Sequence, residues 1–600
     1  MGPARVTAAA PSRARRWLVD RGGLFALAVG AIYFATASPY VVDGDSSEFV
    51  TLGAVGGVAH PPGYPAYLLW LRLWSWLPAS SPAHRAALAT ALLGALGAWA
   101  LHAACRAWGA RPLAAVLAAG VYAVGPAILR IATAAEVFAL NQLVGALVIW
   151  LAARAGPLRG GWRVAALGVV AGIGLADHST CVMMAPVGLL GAVRGVREAS
   201  RGALAAAGGV AALALGLGCY AYLWIAPDNT ASWGPVDSFA RLVHHVLRED
   251  YGGPGAFAPH AGSIDVGSNE LALARTIGRG LLWAPAIVGC AWFVVAAARR
   301  TRADAAEPRV AWVLLALCFV LAGPVLASKF DVPPSDLGLY VVRRFHCLSL
   351  VPLVPAIAVG VDAIAVAVAA RARTPLPTGG AVALVVAGLV AAAAWSLPEL
   401  AAVHSPANET GIANVLHSLP PNAVLLQTES EPHFGIAYLQ LARDDRRDVT
   451  EICWPLTAYP WYRDRLAANG LALPREGDGE GVASVRTAAA VLASGRPLFI
   501  DQFQANIAQH FPVYPYGIVF RVLPAGAPAP SIAEVFAINR RVFDAYELGY
   551  ELPGADDEFA TRMHERYAST WQQIGDALAA SGDKLDAAIA YDFARRLGPQ

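Results

Sequence analysis

Charge is what this 600-residue chain has least of: 15% of its residues are Asp, Glu, Lys or Arg, lysine stands only at 329 and 584, and the formal net charge is +2. So neutral a balance leaves no electrostatic footprint for nucleic acid, which is excluded as a partner. Cysteine is sparse as well. Cys105, Cys181, Cys219, Cys290, Cys318 and Cys347 lie in or beside apolar runs and only Cys453 in a polar stretch, so no disulfide framework or cysteine metal cluster can be built. Long polar stretches are also missing from the first two-thirds of the chain. With 56% hydrophobic residues and a mean hydropathy of +0.48, intrinsic disorder and a wholly soluble multidomain enzyme are both ruled out.

What is present is a series of apolar runs long enough to cross a hydrocarbon core of roughly 30 Å. Eleven are expected, near 24–42, 86–104, 112–130, 136–153, 164–177, 180–193, 204–226, 278–298, 310–327, 346–369 and 379–397. Residues 1–23 carry Arg5, Arg13, Arg15 and Arg16 without a small-residue cleavage site, and read as a basic cytoplasmic flank. Alternate loops then hold the arginine excess, at Arg106 and Arg111, Arg154 to Arg163, Arg194 to Arg201, Arg299 to Arg302, and Arg371 with Arg373. This positive-inside pattern predicts N-in and C-out, with loops 43–85, 227–277 and 328–345 on the outer face of a membrane domain spanning 24–400.

Beyond it, 423–428, 448–453, 496–501 and 517–523 read as short buried strands, so 401–530 is expected to be an extracytoplasmic α/β domain. Residues 531–600 read as helical. Trp571, Ile574, Gly575, Leu578, Ala587, Tyr591, Ala594 and Pro599 fall at the spacing of a tetratricopeptide-like helical hairpin, whose apolar face a helix at 556–569 or a partner must cover. It reads first as a packing element that closes the domain.

The first outer loop concentrates the chemistry. Asp43, Asp45 and Glu48 directly follow a span, where carboxylates are costly, and His60, Pro61, Pro62, Gly63, Tyr64 and Pro65 form a stiff turn able to fold back over them. Asp45 with Glu48 three residues on is close to a capping box opening a helix at Ser46, a structural role compatible with a catalytic one. Glu136, Asn141, Asp177, His178, Arg343, Arg344 and His346 map to the same face as Asp45. Carboxylates, an arginine pair and histidines at one membrane face suit an anionic, lipid-borne substrate, since the planar guanidinium matches phosphate.

Asp43-Gly-Asp-Ser-Ser-Glu48 followed by His60-Pro-Pro-Gly-Tyr-Pro65 resembles the signature of a polytopic family, once a domain of unknown function, whose animal members are protein O-mannosyltransferases acting on plexins. Ala135 to Asn141, Asp177-His178, Ser232-Trp-Gly234, His244-His245 to Asp250-Tyr-Gly252, Arg344-Phe345 and Leu419 to Leu425 resemble its later blocks. Arg343 stands where that family would have an acid, and Ser46 where other membrane glycosyltransferases often have one.

The resemblance implies the GT-C membrane glycosyltransferase fold, a polyprenyl-phosphate sugar as donor, mannose as the sugar and protein Ser or Thr as the acceptor, and an Asp in the first outer loop as base of an inverting transfer. On that reading Asp45 is first choice of base and Asp43 second, with Glu48 or His60 orienting base or acceptor, Arg343 and Arg344 meeting the phosphate, and Tyr64, Glu136, Asn141 and His178 lining the substrate site. No cofactor is required. A divalent metal on Asp43, Asp45 and Glu48 is chemically admissible but not favoured. The arginine- and alanine-rich composition suggests a bacterial inner membrane protein. Two rivals make different demands: a transporter or flippase calls for repeated broken spans with midplane charges, and a non-catalytic scaffold would leave the Asp43 to Pro65 chemistry without a use.

Overall fold

The computed structural model describes residues 22–42, 44–253, 264–299, 305–372, 378–428, 430–473, 480–554 and 559–599. Its first two-thirds are helical. Four helices are long and apolar enough to cross a membrane, Pro82–Ala107, Ser179–Glu198, Gly202–Ile225 and Leu337–Arg371, or up to seven if each bent pair counts as one span. The pairs break where the sequence cannot continue a straight helix: at Gly125 before Pro126 by 64°, at Leu282 before Trp283 by 110°, and at Ser396 ahead of Pro398 by 43°. Against the eleven runs expected, Gly23–Ala35, Phe138–Ala152 and Arg309–Val325 form shorter apolar helices, below the roughly 20 residues of a full crossing.

The outer surface of this bundle is apolar. Leu204, Val210, Leu215, Ile287, Val294, Leu384 and Val390 are all exposed, which water would penalise and lipid does not. Inside it, small residues allow close approach. A Cβ on Gly168 would stand 2.3 Å from the Gly209 carbonyl, and one on Gly172 at 2.3 Å from that of Leu213, so Gly160–Asp177 and Gly202–Leu217 pack backbone to backbone.

The C-terminal part carries a five-stranded sheet: β1 Val424–Gln427, β2 Thr450–Cys453, β3 Leu498–Ile500, β4 Val513–Tyr516 and β5 Val519–Val522. Its order is β2-β1-β3-β5-β4. β1 runs parallel to β2 and β3, while β5 is antiparallel to β3 and β4. Leu425 and Phe499 face one core and Val424, Leu426, Leu498 and Ile500 the other, so the strands are apolar on both sides. Four of the five match the expected strands. β4 was not expected, and Pro515 explains why: a proline disguises a strand, and is tolerated here because β4 is an edge.

At the helical end one expected boundary does not occur. The helix expected at 556–569 and the first arm of the hairpin are one element, Phe559–Ser581, followed by Lys584–Leu597; positions 556–558 lie outside the described residues. Trp571 is fully buried, stacked on Phe593 at 4.6 Å and touching Phe543 at 5.1 Å. Cover for the hairpin thus comes from the helix Ile532–Asp544, which starts at a full Ser531–Glu534 capping box.

Two joints tie the halves together. Glu409 Oε2 accepts the Val41 N–H at 3.0 Å and Ser38 Oγ donates to the Val403 carbonyl at 2.7 Å. The helix Ser430–Ala437 packs on Ser46–Val55, bringing Phe434 to 6.3 Å from the His60 ring.

Candidate active site

Asp45 stands at the start of the Ser46–Val55 helix, but its side chain caps no backbone amide. The capping box expected from Asp45 and Glu48 is therefore not formed. The reason is competition: Arg344 Nη1, on the long helix Asp336–Ala372, donates to Asp45 Oδ2 at 3.1 Å, and a charged donor outbids an amide. The same Nη1 donates to Glu136 Oε1 at 3.3 Å, which also receives the Tyr340 hydroxyl at 3.5 Å. Tyr340, one turn before Arg344, supports the guanidinium on its ring face at 4.9 Å. Two carboxylates thus share one nitrogen of the fork, while Arg344 Nε is buried with no acceptor among the described residues. That nitrogen holds an N–H that an oxyanion could accept. Asp45 keeps 27% of its side-chain surface, so an incoming group can reach it. Burial pushes its carboxyl up, yet the Arg344 guanidinium, with His60 and His178 behind it, holds it below the ordinary carboxylate range. Asp43 lies outside the described residues.

Gly44 shows how closely this corner is packed. Its φ is +75°, and a Cβ there would stand 2.8 Å from Tyr340 Oη and 3.1 Å from Arg344 Nη1. Gly470 shares the positive φ, at +82°, with nothing within 4 Å. Gly44→Ala is therefore expected to lose most activity, because Arg344 must shift, and Gly470→Ala to carry only the backbone cost of about 1 kcal/mol. Thermal stability and turnover of the two variants, measured side by side, check this.

Glu48, expected near the chemistry, has both oxygens engaged elsewhere. Oε1 accepts the His60 backbone N–H at 2.8 Å and Oε2 meets His60 Nδ1 at 2.5 Å, so Glu48 is the strut that folds the proline turn back onto the helix. His60 Nε2 then meets the Tyr64 hydroxyl at 3.1 Å. Burial lowers the proton affinity of His60, but the Glu48 and Asp45 carboxylates outweigh it, and its pKa is raised. The residues 232–251 lock this turn from outside. Val58 N–H donates to Ser232 Oγ at 2.9 Å, Trp233 N–H to the Val58 carbonyl at 2.8 Å, and His245 Nε2 lies 3.0 Å from the Ala59 carbonyl. Trp233 Nε1 is fixed in turn by Asp250 at 3.0 Å. The blocks picked out by resemblance in this loop are thus clamps on the first one.

The two arginines part company. Successive helical residues point about 100° apart, and Arg343 turns from Asp45 to Glu399 at 3.2 Å, which Arg130 also holds at 3.1 Å. The two arginines, expected to act as a pair, thus meet different carboxylates, Arg343 at Glu399 and Arg344 at Asp45. His178 lies across the site, its ring 5.9 Å from Tyr64 and 5.0 Å from Phe138. Asn141 reaches it through Thr180, and His346 faces Thr276 instead at 3.1 Å. Sequence reading missed Tyr340, Thr180, Arg130 and Glu399. Tyr340 alone left a signal, its spacing of four from Arg344. Among the described residues no group of three or more His, Cys, Asp or Glu is placed to hold a metal; between Asp45 and Glu136 the guanidinium stands where a cation would.

Comparison with known proteins bears on what this geometry serves. Residues 45–198 match the family model of the protein O-mannosyl-transferase TMEM260 N-terminal domain. The mouse protein O-mannosyl-transferase TMEM260 is 27% identical over 457 residues, 73% of this chain and 63% of its own length. The Dictyostelium discoideum protein of that name is 25% identical over 241 residues, 37% of this chain and 29% of its own. The chain thus spans less than two-thirds of the length of these curated relatives. Among solved structures, ArnT from Cupriavidus metallidurans bound to undecaprenyl phosphate aligns with a TM-score of 0.48 at 14% identity, over 86% of this chain and all of that one. The sequence of this membrane protein is therefore similar to the TMEM260 protein O-mannosyl-transferases, and the matched family segment opens at Asp45 itself.

Proposed function

We propose that the protein is a GT-C-type membrane glycosyltransferase that moves a sugar, mannose by likeness to its relatives, from a polyprenyl phosphate to an acceptor hydroxyl, a protein Ser or Thr by the same likeness. The observation that carries this reading is Arg344: its Nη1 grips Asp45 and Glu136, while along its Nε edge the Nε–H is buried with no acceptor among the described residues. A phosphate oxygen taken on that edge places the donor beside Asp45. Asp45 then accepts the proton of the acceptor hydroxyl as its oxygen bonds to the anomeric carbon. The bond from that carbon to the phosphate oxygen breaks, its electron pair leaves with the phosphate, and Arg344 stabilises the charge that develops. Attack opposite the leaving group inverts the configuration. Binding also prepares the base: phosphate draws part of the Arg344 field from Asp45, and its carboxylate becomes a stronger proton acceptor.

The remaining assignments follow from this reading. Residues 24–400 form the membrane domain, N-in and C-out, with the site on the extracytoplasmic face, in a bacterium the outer face of the inner membrane. Residues 401–530 form the α/β domain, and the tetratricopeptide-like helices of 531–600 close it. The test is transfer by purified full-length protein from mannosyl polyprenyl phosphate to Ser- and Thr-bearing peptides, read as added hexose by mass spectrometry. Hexose on the peptide with release of polyprenyl phosphate is the expected result. Failure to transfer from any polyprenyl-phosphate sugar to peptide, glycan or lipid acceptor would overturn the proposal.

A further inference from the structure

Asn141, Thr180 and His178 form a hydrogen-bonded chain whose direction is fixed by the groups that can only donate. The backbone N–H of Thr180 approaches His178 Nδ1 at 3.3 Å, a long bond that favours a lone pair on that nitrogen. Thr180 Oγ lies 2.7 Å from the same nitrogen and, facing that one lone pair, donates the shorter and stronger bond, so the side chain holds the tautomer more firmly than the amide does. Its own lone pair then accepts from Asn141 Nδ2 at 2.8 Å. All three residues are buried, with His178 at 5% exposure, which protects the arrangement from exchange with water.

The consequence falls on the far side of the ring. A neutral imidazole has one proton, and with Nδ1 used as acceptor it resides on Nε2. No described residue accepts from Nε2. The ring packs on Tyr64 at 5.9 Å, Phe138 at 5.0 Å and Phe345 at 5.5 Å, and the Arg344 guanidinium lies over the same Phe138 ring at 5.8 Å. His178 and Arg344 thus share Phe138 as a neighbour.

We infer that Thr180, oriented by Asn141, is a positioning residue that locks His178 as a neutral Nε2–H donor toward the phosphate of the lipid-linked donor. The inference rests on the glycosyl-transfer reading and deepens it. Chemistry favours this tautomer over its alternatives. The other neutral form would aim a lone pair at a phosphate oxygen and repel it. A protonated ring would turn an Nδ1–H toward the Thr180 amide N–H, donor against donor. The locked form adds a hydrogen bond without a charge, beside an arginine that already supplies one.

The test uses full-length protein in detergent, with polyprenyl phosphate as the probe. Thr180→Val keeps the shape and removes the hydroxyl, and is expected to weaken polyprenyl phosphate binding by roughly fivefold to tenfold. Thr180→Ser restores it. In a His178→Phe background Thr180→Val should have no further effect, since its influence passes through the imidazole. Nitrogen-15 histidine spectra give a second readout: the unprotonated Nδ1 signal of His178 should persist in wild type and Thr180→Ser, and average with Nε2 in Thr180→Val. Thr180→Ala serves if the valine variant does not fold. Wild-type binding in Thr180→Val or Thr180→Ala, or an equal loss in the His178→Phe background, would overturn the inference alone. Failure of wild type to bind polyprenyl phosphate would remove the glycosyl-transfer reading, and the inference with it.

Discussion

Asp45→Asn should lower sugar transfer by at least roughly a hundredfold, the ordinary size of a general-base contribution, and leave the folded protein close to wild type. Size is conserved, and the amide oxygen still accepts from Arg344 Nη1, which retains Glu136 as its charged partner. Because Asp45 caps no amide, helix stability is not at stake, and a loss of turnover cannot be put down to a frayed Ser46–Val55 helix. The pH profile supplies an independent sign. A base must be unprotonated, and Arg344 holds the Asp45 carboxyl below its ordinary range, so activity is lost only as pH falls below the usual carboxylate titration. Replacing Arg344 should move that acid limb upward. Asp43→Asn, run beside it, is the control. Full activity in Asp45→Asn with loss in Asp43→Asn would move the base two residues upstream, and full activity in both would sink the mechanism.

The second large effect is expected at Arg344. Arg344→Lys keeps the charge but replaces a planar fork by a point donor, which cannot hold Asp45 and Glu136 on one edge and a phosphate on the other. The catalytic efficiency for the lipid donor should fall on the order of tenfold to a hundredfold, the worth of a charge-assisted hydrogen bond, mostly through a raised KM. Arg344→Ala should fall further, because the half-buried Asp45 and the buried Glu136 then lose the cation between them. Arg343→Lys should change KM little, since Arg343 spends its charge on Glu399. An unchanged donor KM in Arg344→Lys would assign Arg344 to packing.

How much of this could be read beforehand depended on range. Asp45 was legible because three carboxylates at a span end are costly wherever they occur. Its partner was not, since Arg344 lies 299 residues away and only folding selects it over Arg343. The capping reading failed for a related reason: local spacing shows the amides within reach of a carboxylate and not the stronger donor arriving from elsewhere. Apolar runs marked the helices of the membrane half, but a run of residues does not reveal a bend, and the breaks at Gly125 and Leu282 change how many full crossings the helices make. In the sheet, burial on both faces made four strands visible, and Pro515 hid the fifth. Thr180 was beyond reach of sequence, because its importance lies in the direction of a single proton.

The joint at Val41–Glu409 and His60–Phe434 constrains how such proteins can be recombined. A chimera carrying a foreign C-terminal domain after residue 400 would strand the Val41 amide four positions before Asp45 and leave the His60 turn without one of its flanking rings. Replacing either half alone is therefore expected to loosen the site. Exchanges between relatives should be tolerated where the crossover carries Val41, His60, Glu409 and Phe434 from a single parent.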